Sequence, residues 1–269
     1  MKKRVLITGV ARGIGRSIAE KFLEKGYMVY GTYYSSEKNA KELIERYGED
    51  NVILFGPYDF RNLEDIERFV DDVKIYTFDS IITSAGIFSE NDDFNEFDLY
   101  DFLKTMNCNF YQQLMINVKL KDNIKNGGSI ILMASNDAYS GAYTSMSYTI
   151  SKSAVLSLMK CLCVNFRSKN VRVNSVAPGA IDTDMNTDEQ MKISPFFSPS
   201  GRVGKPVDVA RVVYWLASEE SDFVNGENIT IDGGYQRESI LLKCEATPEF
   251  SEVVQNYIDS ESITNKNSI

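Results

Sequence analysis

The sharpest chemical signal in the sequence is a tyrosine and a lysine four residues apart, Tyr148 and Lys152, with Ser135 thirteen residues upstream of the tyrosine. Four residues is about one helical turn, so a helix here would place phenol and ammonium on one face. A phenol has an ordinary pKa of about 10 and exchanges protons poorly near neutrality. A fixed cation beside it favours the phenolate and lowers that pKa. The pattern therefore predicts a tyrosine that works as an acid or base.

The chain contains no histidine, which excludes several kinds of catalytic and metal-binding site. Serine–histidine–carboxylate triads, histidine zinc sites and histidine-ligated haem all require that residue. Two of the four cysteines, Cys161 and Cys163, are two residues apart in an apolar helical stretch, where such positions point to different sides. Packing is the simpler interpretation of these side chains, and no metal site is predicted. We expect free thiols and a cytoplasmic protein.

A glycine-rich turn near the N-terminus has the context of a nucleotide-binding loop. Residues 3–8 have the pattern of a short apolar strand, residues 9–15 contain three glycines, and a helical pattern and a second strand follow. Strand, glycine turn, helix and strand together make a glycine motif credible, whereas a lone glycine cluster is usually a turn. Glycines let backbone N–H groups approach a pyrophosphate, and the helix N-terminus favours the anion.

These motifs together resemble the short-chain dehydrogenase/reductase family. The pattern Thr8-Gly9-x-x-x-Gly13-x-Gly15 occurs with Ser135, Tyr148 and Lys152 in the family's order. Ser84-Ala85-Gly86 matches the family's Asn-Asn-Ala-Gly segment, with Thr83 and Ser84 replacing both asparagines. Further matches are Asn107 in the long helix after the fourth strand, Pro178-Gly179 before Ile181-Asp182-Thr183, and the segment 226–234. The matches run from about residue 3 to 235.

The resemblance implies a Rossmann-type, doubly wound α/β fold: a seven-stranded parallel sheet of order 3-2-1-4-5-6-7 between two helical layers. Alternating strand and helix patterns without a long linker also favour one α/β domain. We expect strands near 3–8, 28–33, 51–55, 79–83, 129–134, 171–177 and 228–232. We expect helices near 14–25, 37–47, 63–75, 96–121, 148–168 and 206–218.

The resemblance also implies a role for each catalytic candidate. Ser135 would donate a hydrogen bond to the substrate carbonyl oxygen, and Tyr148 would give that oxygen its proton during reduction. Lys152 would lower the pKa of the tyrosine and bind the nicotinamide ribose. Asn107 would hold a water that links Lys152 to solvent. Hydride would come from the nicotinamide, so the cofactor carries the redox chemistry and the protein supplies orientation.

The cofactor is expected across the carboxyl ends of the strands, where the topology switches. Thr183 would contact the carboxamide, Ile181 the nicotinamide region and Asp59 the adenine. The full set of cofactor-binding candidates is Gly9, Arg12, Gly13, Ile14, Gly15, Tyr33, Ser35, Ser36, Asp59, Ser84, Ala85, Gly86, Tyr148, Lys152, Pro178, Gly179, Ile181 and Thr183.

Charge at the end of the second strand predicts which dinucleotide binds. An NAD pocket usually has an acid there for the ribose 2′-OH, but this chain has Tyr33. No carboxylate there would repel a 2′-phosphate, and Arg12, Ser35 and Ser36 could bind one. The alternative for Arg12 is an ordinary solvated charge on a loop, with no role in binding. We predict NADP(H), in the form of NADPH for reduction.

Several substrates stay open at this point. Residues 11–16 and 201–206 resemble 3-oxoacyl-carrier-protein reductases, which dock an acidic acyl carrier protein through basic residues beside the cleft. Lys125 and Lys169 lie near matching positions, although plain surface lysines are the simpler interpretation. Residues 139–148, rich in tyrosine and serine, suit a sugar or secondary-metabolite ketone equally well, and 184–200 is expected to cover the substrate. A non-catalytic NADPH-binding regulator is the alternative of another class.

Charge and hydropathy limit the remaining partners. A net charge of −9 argues against nonspecific nucleic-acid binding. No apolar run is long enough for a membrane span or a signal peptide.

The resemblance implies a homo-oligomer, a tetramer or a dimer. We divide the chain into a catalytic domain, 1–235, and an extension, 236–269, in which 248–258 has amphipathic helical spacing and is predicted to dock on a subunit; a disordered tail is the alternative.

Overall fold

The computed structural model describes residues 2–88, 94–142 and 144–237, together with Ser239, Glu252 and Gln255. Apart from the few residues named above, the extension 236–269 and the helix predicted at 248–258 lie outside the described residues. The strands are β1 (Arg4–Thr8), β2 (Met28–Thr32), β3 (Val52–Phe55), β4 (Phe78–Thr83), β5 (Ile124–Met133), β6 (Arg172–Pro178) and β7 (Asn228–Ile231). The helices are α1 (Gly13–Glu24), α2 (Glu37–Tyr47), α3 (Leu63–Val73), α4 (Leu99–Met106), α5 (Gln112–Lys119), α6 (Met146–Asn165), α7 (Asp188–Phe197) and α8 (Pro206–Ala217).

The seven strands form one parallel sheet in the order β3-β2-β1-β4-β5-β6-β7, as predicted. Strands of such a sheet are buried on both faces, which explains their nearly continuous apolar sequences. In β1, Leu6 packs into one core cluster, and its neighbours Val5 and Ile7 pack into the other. Each fully buried side chain of this size contributes roughly 1.5–3 kcal/mol.

Each face of the sheet is covered by its own set of helices. Apolar residues of α1, α2 and α8 form one cluster with the sheet, and those of α3, α5 and α6 form the other. The sequence of α1 shows the cause, since Ile18, Ala19 and Phe22 recur at helical spacing and are fully buried. The predicted three-layer α/β/α architecture is thereby confirmed. In the part of the chain that the structure describes, every helix is too short or too polar to cross a bilayer.

The single helix predicted at 96–121 is divided in the structure. After α4, the residues Asn107–Tyr111 form a π-helical turn, and α5 begins at Gln112. The N–H of Gln112 donates to the carbonyl of Asn107, five residues back. Such a turn shifts the phase of the side chains that follow, and π turns occur frequently at functional sites.

The helix α7 was not predicted, because residues 184–200 were expected only to cover the substrate and no helix was assigned to them. Its first turn is fixed by a capping box: the side chain of Thr187 accepts from the N–H of Gln190, and the Gln190 side chain accepts from the N–H of Thr187. The spacing Thr-x-x-Gln is a recognised start signal for a helix, so the sequence did contain the information.

The turn from β1 into α1 depends on glycine at two positions. Gly9 has a φ of 77°, which residues with a side chain rarely adopt. A Cβ on Gly15 would lie 2.1 Å from the carbonyl oxygen of Gly9. The close approach of these two residues leaves the N–H groups at the start of α1 open to a ligand.

Replacing Gly15 with Ala should therefore destabilise the protein and abolish dinucleotide binding. The new methyl group and the Gly9 carbonyl are both fixed to the backbone, so neither can rotate away, and overpacking of this kind costs about 1–3 kcal/mol. Thermal unfolding and nicotinamide fluorescence measure the two effects. Gly141→Ala is the matched control, because nothing lies within 4 Å of its Cβ position. Equal melting temperatures and affinities in the two variants would contradict this account.

Candidate active site

The loops that follow β1 and β4 meet at the carboxyl edge of the sheet. The hydroxyl of Thr8 accepts a hydrogen bond from the N–H of Ala85 at 2.9 Å. A Cβ on Gly9 would lie 3.1 Å from the Ala85 Cα, and one on Gly15 would lie 3.4 Å from the Ser84 hydroxyl. The predicted glycine turn and the predicted Ser84-Ala85-Gly86 segment are therefore one continuous surface.

Two further contacts join this surface to the remaining candidates. A Cβ on Gly13 would lie 3.4 Å from the Thr183 methyl, and one on Gly86 would lie 3.5 Å from Lys152 Nζ. Behind Thr183, the N–H of Gly179 donates to the carbonyl of Ile231 at 3.0 Å. The loops after β1, β4 and β6 and the helix α6 thus meet at one edge, as the carboxyl ends of parallel strands should.

The first turns of α6 hold Tyr148 and Lys152. Both side chains are buried, at 9% and 3% exposure, and Lys152 Nζ lies 5.5 Å from the centre of the tyrosine ring. Lys152 Nζ donates to the carbonyl of Met133, at the end of β5, at 3.0 Å. Ser135 follows β5 and is also buried, and its hydroxyl interacts with that of Tyr148. The structure therefore brings the three predicted catalytic residues together.

Burial controls the charge of this cluster. It raises the pKa of Tyr148 to about 12; the hydrogen bond from Ser135 opposes the rise, and the nearby Asp137 carboxyl adds to it. Burial lowers the pKa of Lys152 to about 8. Loss of hydration disfavours the charged form of both groups, and at Tyr148 it outweighs the hydrogen bond from Ser135. Tyr148 consequently keeps its proton near neutral pH.

Asn107 does not join the catalytic cluster. Its side chain donates to the backbone carbonyl of Arg61 at 2.9 Å, near the loop that follows β3. Asn109 occupies the expected place instead: it is fully buried, and its Oδ1 and Lys152 Nζ lie 3.1 Å and 3.5 Å from the Cβ position of Gly86. The family resemblance assigned this role to Asn107 from its position in the sequence, whereas the structure, with a π-helical turn over Asn107–Tyr111, brings Asn109 to that place.

Two amide side chains missed by the sequence analysis fix this part of the site. Asn109 pairs with both backbone groups of Ile87, accepting from its N–H at 2.8 Å and donating to its carbonyl at 2.9 Å. Gln113 pairs in the same way with Met133, at 3.1 Å for each bond. The spacing of 109 and 113, one helical turn, was a usable signal, because buried amides need partners.

Known proteins resemble this chain over most of its length. The sequence profile of a family described as enoyl-(acyl carrier protein) reductase matches residues 9–236. Versicolorin reductase 1 from Aspergillus parasiticus is 33% identical, over 86% of this chain and 95% of its own. The 3-oxoacyl-[acyl-carrier-protein] reductase FabG from Vibrio harveyi is 32% identical, over 86% of this chain and 96% of its own.

The chain belongs to the short-chain dehydrogenase/reductase family. A crystal structure of a short-chain dehydrogenase from Burkholderia cenocepacia, in complex with NADP, superposes with a TM-score of 0.81 at 28% identity, covering 87% of this chain and 98% of that one. Membership makes the chain an NAD(P)-dependent oxidoreductase acting on CH–OH groups of a small-molecule substrate. The glycine turn fits such a cofactor, because it leads directly into the N-terminus of α1, where backbone N–H groups favour a pyrophosphate.

As in other short-chain dehydrogenases, the adenosine end of the site is expected near β2 and β3. The Asp59 carboxylate accepts hydrogen bonds from Arg61 at 2.7–2.8 Å, and these bonds lower its pKa. The Arg61 guanidinium lies 5.3 Å from the centre of the Tyr34 ring and donates to its hydroxyl. Asp59, Arg61 and Tyr34 are therefore connected through the Arg61 guanidinium.

The residues chosen for a 2′-phosphate remain accessible. Arg12 pairs with Asp184 at 3.3 Å, but both side chains are exposed, at 64% and 74%, so the pair is weak. Ser36 is the N-cap of α2, yet its side chain makes no capping hydrogen bond. Tyr33 lies half-buried with its hydroxyl near the carbonyl of Gly56, and Ser35 is exposed beside it.

The depressed pKa of Lys152 should appear in the pH dependence of stability. Between pH 8 and its ordinary value of 10.5, the unfolded lysine binds more protons than the folded one, so stability rises with pH across this window. Between pH 7.5 and 9.5, Lys152 should contribute a gain of about 2 kcal/mol to the free energy of unfolding in urea, measured as the difference between the wild-type protein and Lys152→Met. Lys160→Met, an exposed position on the same helix, is the control and should retain the gain. The same pH dependence in both variants would show that Lys152 is not buried as described.

Proposed function

We propose that this protein is an NADPH-dependent reductase that converts a ketone to an alcohol, with Tyr148 as the proton donor. One observation carries the proposal: a protonated, buried tyrosine lies with Ser135 and Lys152 beside the glycine turn where a dinucleotide would bind. Reduction of a carbonyl requires one hydride and one proton, and this arrangement holds the proton next to the hydride source.

The roles of the side chains follow from their contacts. NADPH would supply the hydride when bound along the glycine turn. Ser135 donates to the carbonyl oxygen, which makes the carbon more electrophilic, and Tyr148 gives its proton to that oxygen as negative charge develops there. Lys152, held by Met133, then stabilises the phenolate left behind. Asn109, rather than Asn107, holds the helix against the loop that carries Gly86.

Several contacts support NADPH over NADH. Tyr33 leaves the end of β2 without a carboxylate, and Glu37 in the next helix is paired with Lys41 at 2.7 Å. Arg12 is held only by a weak surface pair that a phosphate could replace. The related Burkholderia cenocepacia enzyme was solved with NADP.

The structure gives less support to docking of an acyl carrier protein through Lys125 and Lys169. Lys125 binds Asp79 at 2.8–2.9 Å, and Lys169 donates to the carbonyl of Lys121. These residues lie at or before the starts of strands, on the edge of the sheet opposite the catalytic cluster. We therefore favour a small, free ketone, such as a sugar or secondary-metabolite ketone. Reduction of a 3-oxoacyl group on a carrier remains the second candidate, supported by the likeness to FabG.

We also propose that residues 1–235 act as the catalytic domain, with 236–269 as an extension, in a cytoplasmic homo-oligomer. Large apolar side chains of α4, α5 and α6 are exposed in the single chain and suit a subunit interface: Leu99, Leu103, Val118, Ile150 and Val164. A tetramer or a dimer would cover them, and solution mass distinguishes these states from a monomer.

Tyr148→Phe is expected to lower turnover by roughly 10²-fold or more, because it removes the proton donor and keeps the ring. Affinity for NADPH, measured by nicotinamide fluorescence, should change little. Tyr100→Phe, at an exposed surface position, is the matched control. Near-normal turnover in Tyr148→Phe would overturn the assignment. Tight NADPH binding without NADPH oxidation on any of a broad panel of carbonyl compounds would favour the non-catalytic regulator instead.

Arg12→Gln should weaken NADPH binding by roughly tenfold, the loss expected for one hydrogen bond to a charged group. NADH binding should stay close to that of the unmodified protein, because NADH has no 2′-phosphate. Fluorescence titration with both dinucleotides gives the two constants. Arg46→Gln removes a comparably exposed arginine from α2 and should alter neither. Wild-type protein that binds NADH as tightly as NADPH would refute the proposed preference.

A further inference from the structure

A carboxyl group lies within the catalytic cluster and has no role in the reaction described above. Asp137 is two residues beyond Ser135, in the short helical turn Asn136–Tyr139, and is half-buried. Its N–H donates to the Ser135 hydroxyl at 3.2 Å, and its carboxyl group also interacts with that hydroxyl. It is close enough to Tyr148 and Lys152 to affect their charge states electrostatically.

The turn that carries Asp137 is held in place from three directions. Side chains from α6, from β7 and from the residues just after β7 each donate one hydrogen bond to it. The contacts are Ser153 to the Ala138 carbonyl at 2.9 Å, Asn228 to the Tyr139 hydroxyl at 2.6 Å, and Gln236 to the Asn136 carbonyl. The carboxyl group is therefore presented at a fixed place rather than on a loose surface loop.

Asp137 has little protein compensation for its negative charge. Within residues 2–88, 94–142 and 144–237, no lysine or arginine forms an ion pair with it. Lys152 Nζ donates to the Met133 carbonyl instead. Burial accordingly raises the pKa of Asp137. A half-buried carboxyl group with so few donors is costly unless another molecule supplies one.

Ser135 cannot satisfy Asp137 and also activate a ketone. A serine hydroxyl has one proton to donate. Three acceptors compete for that proton: the Asp137 carboxylate, the Tyr148 oxygen and the Asn136 side-chain oxygen. The Asn136 oxygen lies 3.4 Å from the Ser135 hydroxyl. A carboxylate is the strongest acceptor of the three. Productive binding of a ketone must therefore offer Asp137 a different donor, so that the Ser135 proton can turn to the carbonyl oxygen.

An aromatic side chain forms another wall beside the tyrosine. The ring centre of Phe88 lies 5.0 Å from that of Tyr148, and the side chain is 37% exposed. A substrate that reaches the Tyr148 hydroxyl therefore meets an apolar ring from Phe88 and an acceptor from Asp137.

We propose that Asp137 is a specificity-determining residue that selects ketones carrying a hydroxyl or protonated amine close to the carbonyl group, on a flat apolar skeleton. The substrate's donor binds the Asp137 carboxylate and releases the Ser135 hydroxyl, which then donates to the carbonyl oxygen. A ketone without such a donor leaves Ser135 engaged with Asp137 and is reduced slowly. This inference rests on the reductase function proposed above.

The test compares matched ketones in the full chain with NADPH: 2-tetralone, a set of its ring-hydroxylated derivatives, and acetoacetyl-CoA. We expect the wild-type protein to prefer at least one hydroxytetralone over 2-tetralone. Asp137→Asn has nearly the same shape without the charge. It should lower that preference, measured as the ratio of kcat/KM values, at least roughly tenfold, because a hydrogen bond to a charged group is replaced by a neutral one. The kcat/KM for 2-tetralone itself should rise, since the competitor for the Ser135 proton is weakened.

The controls separate this role from a general defect. Asp122→Asn removes the same charge at a position 79% exposed on the opposite edge of the sheet and should leave the preference unchanged. Asp137→Ser provides a second variant if Asp137→Asn melts early or loses NADPH affinity, and it should shift the ratio in the same direction. An unchanged ratio in both folded Asp137 variants would overturn the proposal while leaving the reductase function intact. Reduction of acetoacetyl-CoA in preference to every tetralone would also overturn it. Failure of the wild-type protein to reduce any of these ketones would overturn the proposed specificity, whereas the reductase function itself is decided by the broad panel of carbonyl compounds described above.

Discussion

The backbone carbonyl of Met133 is the fixed point on which the catalytic cluster depends. It lies at the end of β5, near the centre of the sheet, and accepts from Lys152 Nζ at 3.0 Å and from Gln113 at 3.1 Å. Burying an ammonium group without a carboxylate partner costs free energy, so the position of Lys152 Nζ is determined by the few hydrogen-bond acceptors near it. Because the strand beneath it is packed on both faces, that acceptor cannot move, and Lys152 is held where α6 brings it. Tyr148, one turn earlier on the same helix, is positioned by the same contact.

Amide side chains extend the hydrogen bonding of the sheet beyond the last residues of its strands. Asn109 pairs with Ile87 after β4, and Gln113 pairs with Met133 at the end of β5, each using both a donor and an acceptor as a neighbouring strand would. The hydroxyl of Thr83 donates to the same Gln113 side chain at 2.9 Å. Thr83 stands where the family has an asparagine, so the amide at this junction comes from α5 rather than from the loop after β4. Helix and sheet are therefore joined by specific polar contacts beside the site, where apolar packing alone would not set a unique register.

The sequence predicted the sheet well because its signal is strong. Apolar segments that alternate with helical patterns predicted a parallel α/β sheet, and the resemblance to the family supplied its strand order. The glycine turn and the pair of Tyr148 and Lys152 depend only on short spacings. The errors arose where a local irregularity mattered. Asn107 and Asn109 are two residues apart and point to different sides of the helix, and it is Asn109, within the π-helical turn, that lies beside Gly86 and Lys152. The placement of Lys125 was within reach of the sequence, since a residue at the start of a parallel strand lies on the edge opposite the cofactor. The pairing of Gln113 with Met133 could not be predicted from the sequence, because it depends on how far α5 is shifted along β5, which the sequence does not reveal.

Loss of hydration acts on the three ionisable groups of the site in one consistent way. It raises the pKa values of Tyr148 and Asp137 and lowers that of Lys152, so each group is displaced toward its neutral form. A neutral tyrosine is the form that can give a proton, which suits the direction of reduction. The lysine, with a pKa of about 8, lies near the point at which a small change in the local field decides its charge. Dinucleotide phosphates along the glycine turn would add negative charge on the same edge of the sheet and favour the ammonium form. An ammonium beside Tyr148 would stabilise a phenolate formed after proton transfer, which is the role proposed for Lys152.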